Sequence, residues 1–172
     1  MRGELMEREI LEQPEVLARN CSRYLDDLKA MALAGDFEMV LLAARGSSDN
    51  AAFYARYLIE IHLGIPVSLA APSVITKHQS DLQFPKCLAI GLSQSGAAPD
   101  VSEVIAYMRR QGHTTLAITN VEGSRLSNEA EHTLLLGAGE EKSVAATKTY
   151  SASLLAIYQL VRAMGGDIPE PE

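Results

Sequence analysis

Ser93-Gln94-Ser95-Gly96 concentrates more potential chemistry than any other four residues of this sequence. It follows Cys87–Leu92, a short apolar run of the kind that forms a strand buried on both faces. Pro99 and Asp100 come next, at the expected first turn of a helix. Such a junction leaves backbone N–H groups unpaired at the helix N-terminus with hydroxyls beside them, and all of them can point at an anion. Two other stretches share this character. Arg45-Gly46-Ser47-Ser48-Asp49-Asn50 follows an apolar run and opens a helix, and the hydroxyl-rich segment Glu141–Thr149 precedes the last long helix. One such loop reads as readily as a capped polar turn. Three at strand-to-helix junctions on one edge of one sheet predict a site. A phosphate monoester suits them: it carries roughly −1.5 to −2 charges and three acceptor oxygens, which hydroxyls, amides and N–H groups can hold. A nucleotide fits less well, since the sequence has neither a GxxxxGK phosphate loop nor a GxGxxG turn after its first strand.

The elements that must position these loops are legible from periodicity. Apolar residues recur at helical spacings through residues 1–36, with a break or new start forced by Pro14. These helices could cover the edge of the domain or dock on another subunit. Strand and helix then alternate. Strands are expected at Met39–Ala44, Val67–Ala70, Cys87–Leu92, Thr114–Thr119 and His132–Leu136. Helices are expected at Asn50–Leu63, Pro99–Gln111, Ser124–Ala130 and Ala146–Met164, with a short helical or irregular piece from Pro72 to about Gln79. Short strands separated by helices imply right-handed parallel crossovers. The expected fold is a three-layer α/β/α sandwich around a five-stranded parallel, doubly wound sheet, with ligands at the carboxyl ends of the strands near a topological switch point. The chain divides into a helical segment at 1–36, the α/β domain at 37–165 and a Gly/Pro-rich acidic linker at 166–172.

Bulk properties narrow the function. A chain of 172 residues, 47% hydrophobic, can bury a sizeable core in one domain. Its net charge of −7 argues against nucleic acid as a partner. No apolar run approaches the roughly 18 to 20 residues that span a bilayer, and the N-terminus lacks a signal-peptide core, so the chain reads as cytoplasmic and without a membrane partner. Cys21 and Cys87 have no spacing for zinc or a disulfide framework and read as core or near-core thiols. The four histidines are dispersed, with only His78 on the expected site edge. Neither metal nor cofactor is expected.

The same stretches carry a resemblance. Met6–Pro14, Arg45–Asn50, Gly64–Val67, Leu92–Gly96, Ala117–Asn120 and Ala138–Thr149 run in the order found in sugar isomerase (SIS) phosphosugar-binding domains. The chain closely resembles the first of the two SIS domains in the isomerase half of the glutamine–fructose-6-phosphate aminotransferases (glucosamine-6-phosphate synthases). The resemblance implies a flavodoxin-like SIS fold in which Ser48, Ser93, Gln94 and Ser95, with Gly46 and Ser47 of the first loop, hold a sugar phosphate. Val144 would face the sugar through its backbone. Where the family commonly has a Thr and a Ser, this chain has Ala98 and Ala146, two hydroxyls fewer. The family's acid/base Glu, His and Lys come from a second SIS domain or subunit, so no catalytic residue is placed on this chain. Lys148 is expected to meet an acidic neighbour, Glu140 and Glu141 to be solvated, and Arg45 to pair with a carboxylate. The resemblance further implies fructose 6-phosphate or glucosamine 6-phosphate as ligand and a homodimer as assembly. A lone SIS module that senses a phosphosugar is the alternative, marked by the absence of a second domain carrying those acid/base residues.

Overall fold

In the computed structural model, which describes residues 3–33 and 35–171, five short strands form one parallel sheet in the order β2-β1-β3-β4-β5. Met1, Arg2, Ala34 and Glu172, which fall in the expected N-terminal segment and linker, lie outside the described residues. The strands are β1 Met39–Ala43, β2 Val67–Leu69, β3 Cys87–Leu92, β4 Thr114–Thr119 and β5 His132–Leu135. The helices are α1 Glu4–Leu11, α2 Gln13–Ala30, α3 Ser47–Leu63, α4 Pro72–Thr76, α5 Pro99–Arg110, α6 Arg125–Glu129 and α7 Lys148–Ala163. β3 lies at the centre, with Ala43 of β1 opposite its Gly91 and Ile118 of β4 opposite its Leu92.

Near-continuous apolar strands are what a sheet covered on both faces demands, and period-two alternation splits them between two cores. Val40, Leu42, Leu88, Ile90, Leu116, Ile118 and Leu134 face α2, α3 and α7. Leu41, Ala43, Cys87, Ala89 and Ala117 face α5 and α6, with Ile75 of α4 packed against that cluster. Chain travel explains the division. From β1 the chain moves to one edge through α3, and from β3 onward it moves to the other through α5 and α6. Right-handed crossovers in opposite directions put the helices on opposite faces. The loops that leave β1 and β3 therefore diverge, and a crevice opens between the carboxyl ends of these neighbouring strands.

The two N-terminal helices differ in how they are held. α2 packs along α7, burying Val16, Tyr24 and Leu28 in the first core. It also ties to the end of β5: the Tyr24 hydroxyl donates to Leu136 O, and Arg23 Nη2 donates to Leu135 O at 2.7 Å. Burial pushes the Tyr24 phenol up to about 12, so it remains a donor throughout the neutral range. α1 buries only Glu9, while Leu5, Ile10 and Leu11 are exposed. At the other end the Gly/Pro-rich tail read as linker rests on the body, with Ile168 buried and the Tyr158 hydroxyl donating to Pro169 O at 2.8 Å.

Candidate functional site

The first loop leaves β1 at the buried Ala44 and turns through Gly46, whose φ of 62° and ψ of −129° suit glycine alone. Gly46 is the N-cap of α3, so the helix starts at Ser47, three residues earlier than its apolar pattern suggests. Ser47 and Ser48 thus occupy its first turn. Ser48 N donates to Arg45 O at 3.2 Å and Asp49 N to Gly46 O at 3.1 Å. Neither serine hydroxyl is engaged by another described residue.

The second loop is clamped from the β4 side. Ser93 N donates to Ile118 O at 3.1 Å, extending the ladder by one residue beyond β3. Gln94 O accepts from Asn120 N at 2.9 Å and from Thr119 Oγ1 at 3.3 Å. Gly96 N closes the turn onto Ser93 O, and Gly96 O accepts from Leu126 N. Here glycine is required twice over: φ is 61°, and a Cβ would meet Ser124 Oγ at 2.1 Å and Cβ at 2.4 Å. The carbonyls of Ser93, Gln94 and Gly96 are thus occupied, while donors of the loop are left over. Among the described residues, none accepts from the N–H groups of Gln94 and Ser95 or engages the Ser93 hydroxyl. Adjacent unpaired N–H groups before a helix are an anion-binding arrangement.

The third loop departs from expectation. Its hydroxyls are spent internally, because Glu141 is not a solvated carboxylate. Glu141 Oε1 accepts from Thr147 N and Thr147 Oγ1, both at 2.9 Å, and from Thr149 N at 3.3 Å; Oε2 accepts from Thr149 Oγ1 and, at 3.2 Å, from Gln94 Nε2. Glu141 therefore caps α7 with a negative charge at its positive end and joins that helix to the β3 loop. The α7 N-terminus holds a carboxylate and is closed to a second anion. Glu140 is exposed and lies 3.1 Å from Lys142 Nζ. Val144 projects its side chain into solvent.

Charged groups around the loops are paired. Arg45 Nε lies 3.3 Å from Asp100 Oδ2, an ion pair that spans from the β1 loop to the first turn of α5. Lys148, only 4% exposed, meets Glu12, at the junction of α1 and α2, through its ammonium. Glu9 accepts from Lys142 N at 2.6 Å, from Ser143 N at 3.2 Å and from the Ser143 hydroxyl. These bonds, the Lys142 N–H foremost, hold the Glu9 carboxyl below its usual range of about 4.5. Asn120 completes the framework, donating to Gly139 O and accepting from Ala138 N. His78 is exposed beyond α4. Burial pushes the Cys87 thiol up to about 11, out of reach of thiolate chemistry at neutral pH.

Of the seven residues singled out for binding, Gly46, Ser47 and Ser48 lie at the end of β1 and Ser93, Gln94 and Ser95 at the end of the adjacent β3. Val144 lies in the segment that begins at Glu141, beside Gln94. Sequence reasoning missed the structural work of Glu141 and Glu9. Glu141 left a local signal, two threonines six and eight residues ahead of it at a helix start. Glu9 left none, since its partners are 133 and 134 residues away. A cleft of about 540 Å³ between the 75–81 segment and α5–α6 is lined by none of these seven residues. Among the described residues no group of three His, Cys, Asp or Glu is placed to hold a metal ion, and no helix is long and apolar enough to cross a membrane.

Known proteins share this fold. The family described as the SIS domain matches residues 38–163. A glutamine–fructose-6-phosphate aminotransferase of Chlamydia caviae is 40% identical over 163 residues, covering 90% of this chain and 27% of the relative. This chain therefore spans about a quarter of the length of that curated relative. Among solved structures, a protein described as a candidate phosphosugar isomerase from Silicibacter pomeroyi DSS-3 superposes with a TM-score of 0.87 at 36% identity, over 93% of this chain and 50% of the other. The C-terminal domain of the glucosamine-fructose-6-phosphate aminotransferase of Francisella tularensis superposes with a TM-score of 0.83 at 28% identity, over 94% and 47% respectively.

Proposed function

The chain belongs to the SIS domain family, and from that premise we propose that it binds the phosphate of a sugar phosphate at the crevice between the β1 and β3 loops. The observation that carries this reading is the Ser93–Gly96 loop, in which the Ser93, Gln94 and Gly96 carbonyls are occupied while the N–H groups of Gln94 and Ser95 and the Ser93 hydroxyl stay open. Ser47 and Ser48, in the first turn of α3, would meet the anion from the neighbouring strand. Fructose 6-phosphate or glucosamine 6-phosphate is the ligand class, by likeness to the aminotransferase relatives. In a whole protein of that kind, the reaction would open the sugar ring and move a proton between C1 and C2. This domain would contribute by anchoring the phosphate and so orienting the reacting carbons. The acid and base would come from a second SIS domain or a partner subunit. We also expect the chain to form a homodimer in solution; a strictly monomeric mass at high concentration would contradict that.

Calorimetric titration of the chain with fructose 6-phosphate, with fructose and inorganic phosphate as controls, tests the site. Saturable binding is expected for the phosphosugar and none for fructose. The Ser93→Ala plus Ser95→Ala variant should lose about 3–6 kcal/mol, two hydrogen bonds to a charged group at roughly 1.5–3 kcal/mol each, with little change in melting temperature. Binding that is unchanged in the double variant would remove the Ser93 and Ser95 hydroxyls from the phosphate site.

A further inference from the structure

α1 is attached to the molecule by polar contacts, with its apolar residues left outside. Glu9 is 1% exposed, whereas Leu11 is 73% exposed. The Glu9 carboxylate accepts two backbone N–H groups and one hydroxyl, all from Lys142 and Ser143. Just past α1, Glu12 meets the Lys148 ammonium, and Gln13, the first residue of α2, accepts from the Ser151 hydroxyl. All three contacts fall on the 142–151 stretch, none on the sheet. Residues 142–146 have no regular structure. Their inner end is fixed by Glu141, which also receives the Gln94 amide, so the segment begins beside the anion loop. The opposite flank, around Asn120, is closed by that residue's bonds to Ala138 and Gly139. The 142–146 backbone therefore leaves from the Gln94 side of the β3 loop.

We propose that Glu9 is a positioning residue: from α1 it fixes the 142–146 segment as the wall against which the sugar end of the ligand rests. The inference rests on the phosphosugar reading of the site. It makes the N-terminal helix part of the binding machinery without touching the ligand. Phosphate and sugar ends are thereby held by separable parts of the chain, the former by the β1 and β3 loops and the latter by a segment fastened through Glu9.

That separation supplies the test. Fructose 6-phosphate and inorganic phosphate are titrated into the full chain, into Glu9→Gln and into Glu7→Gln, an exposed control on the same helix. Glu9→Gln should weaken fructose 6-phosphate about tenfold, the scale of one charge-assisted hydrogen bond. Inorganic phosphate should stay within about twofold, and Glu7→Gln should change neither. Ser143→Ala, which removes only the hydroxyl contact, should give a smaller loss in the same direction, and it carries the test if Glu9→Gln fails to fold. Equal loss for both ligands, or no loss for fructose 6-phosphate, would overturn the positioning role. Failure of the unaltered chain to bind fructose 6-phosphate would instead overturn the phosphosugar reading on which it stands.

Discussion

Glu141 shows how much one side chain can decide here. A carboxylate at a helix N-terminus is stabilised by the unpaired N–H groups and the helix dipole. This one serves α7 while receiving the Gln94 amide, so cap and loop share a residue. Glu141→Gln should lower stability by about 1–2 kcal/mol, the usual scale of a lost cap, and should loosen the Gln94 side chain. Chemical denaturation together with the amide resonances of Gln94 would check both effects. Gly96 is the stricter requirement. Alanine there must adopt a left-handed backbone and displace Ser124, which caps α6. A cost of roughly 2–4 kcal/mol follows from adding backbone strain to overpacking, read as a shift of the denaturation midpoint. An unshifted midpoint would mean that the β3 loop can relax away from α6.

At the level of elements, α1 and α2 obey different physics. α2 is held by apolar burial against α7, which does not respond to pH. α1 hangs on Glu9, whose carboxyl is more acidic in the folded chain than in the unfolded one. The stabilisation Glu9 supplies is then fully present above its ordinary value of about 4.5 and fades as pH falls through the lower folded-state value. Protection of the Lys142 and Ser143 amides, taken relative to their intrinsic exchange rates at each pH, should fall on acidification below 4.5 in the unaltered chain, and should already be low at neutral pH in Glu9→Gln. Exchange at buried positions of α2 should be the same in both proteins at neutral pH. A uniform change across both helices would mean that the two unfold together, against the division of forces drawn here.

For the whole molecule, the proposed ligand is an anion and so is the protein. A net charge of −7 repels a phosphosugar at long range, while the donors proposed to bind it act only at contact. Raising ionic strength from about 0.01 to about 0.15 M shortens the screening length from about 30 to about 8 Å. The association rate with fructose 6-phosphate should therefore rise with salt, as stopped-flow mixing would measure. A fall would mean that the partly exposed Arg45, 65% accessible and paired with Asp100, dominates the approach.

Sheet, strand bounds to within a residue and the two loops that follow β1 and β3 could be read from the chain because their signals are local. Cys87–Leu92 and Thr114–Thr119 are recognisable by apolar content, and Ser124 by its place before a helix, with no distant residue needed. The start of α3 was less legible, since Ser47 and Ser48 are polar and carry no apolar period. What the third loop does with its hydroxyls was not legible at all. Thr147 and Thr149 are the same residues whether they face a ligand or a carboxylate, and only the fold brings Glu141 between them and Gln94. Glu9 is the extreme case: within α1 it is one glutamate among several. The sequence by itself determined the architecture and the crevice where donors gather, because apolar periodicity and turn chemistry act over a few residues. The tertiary structure alone decided which donors stay open and what braces the loops, because a hydrogen-bond partner more than a hundred residues away leaves no local pattern.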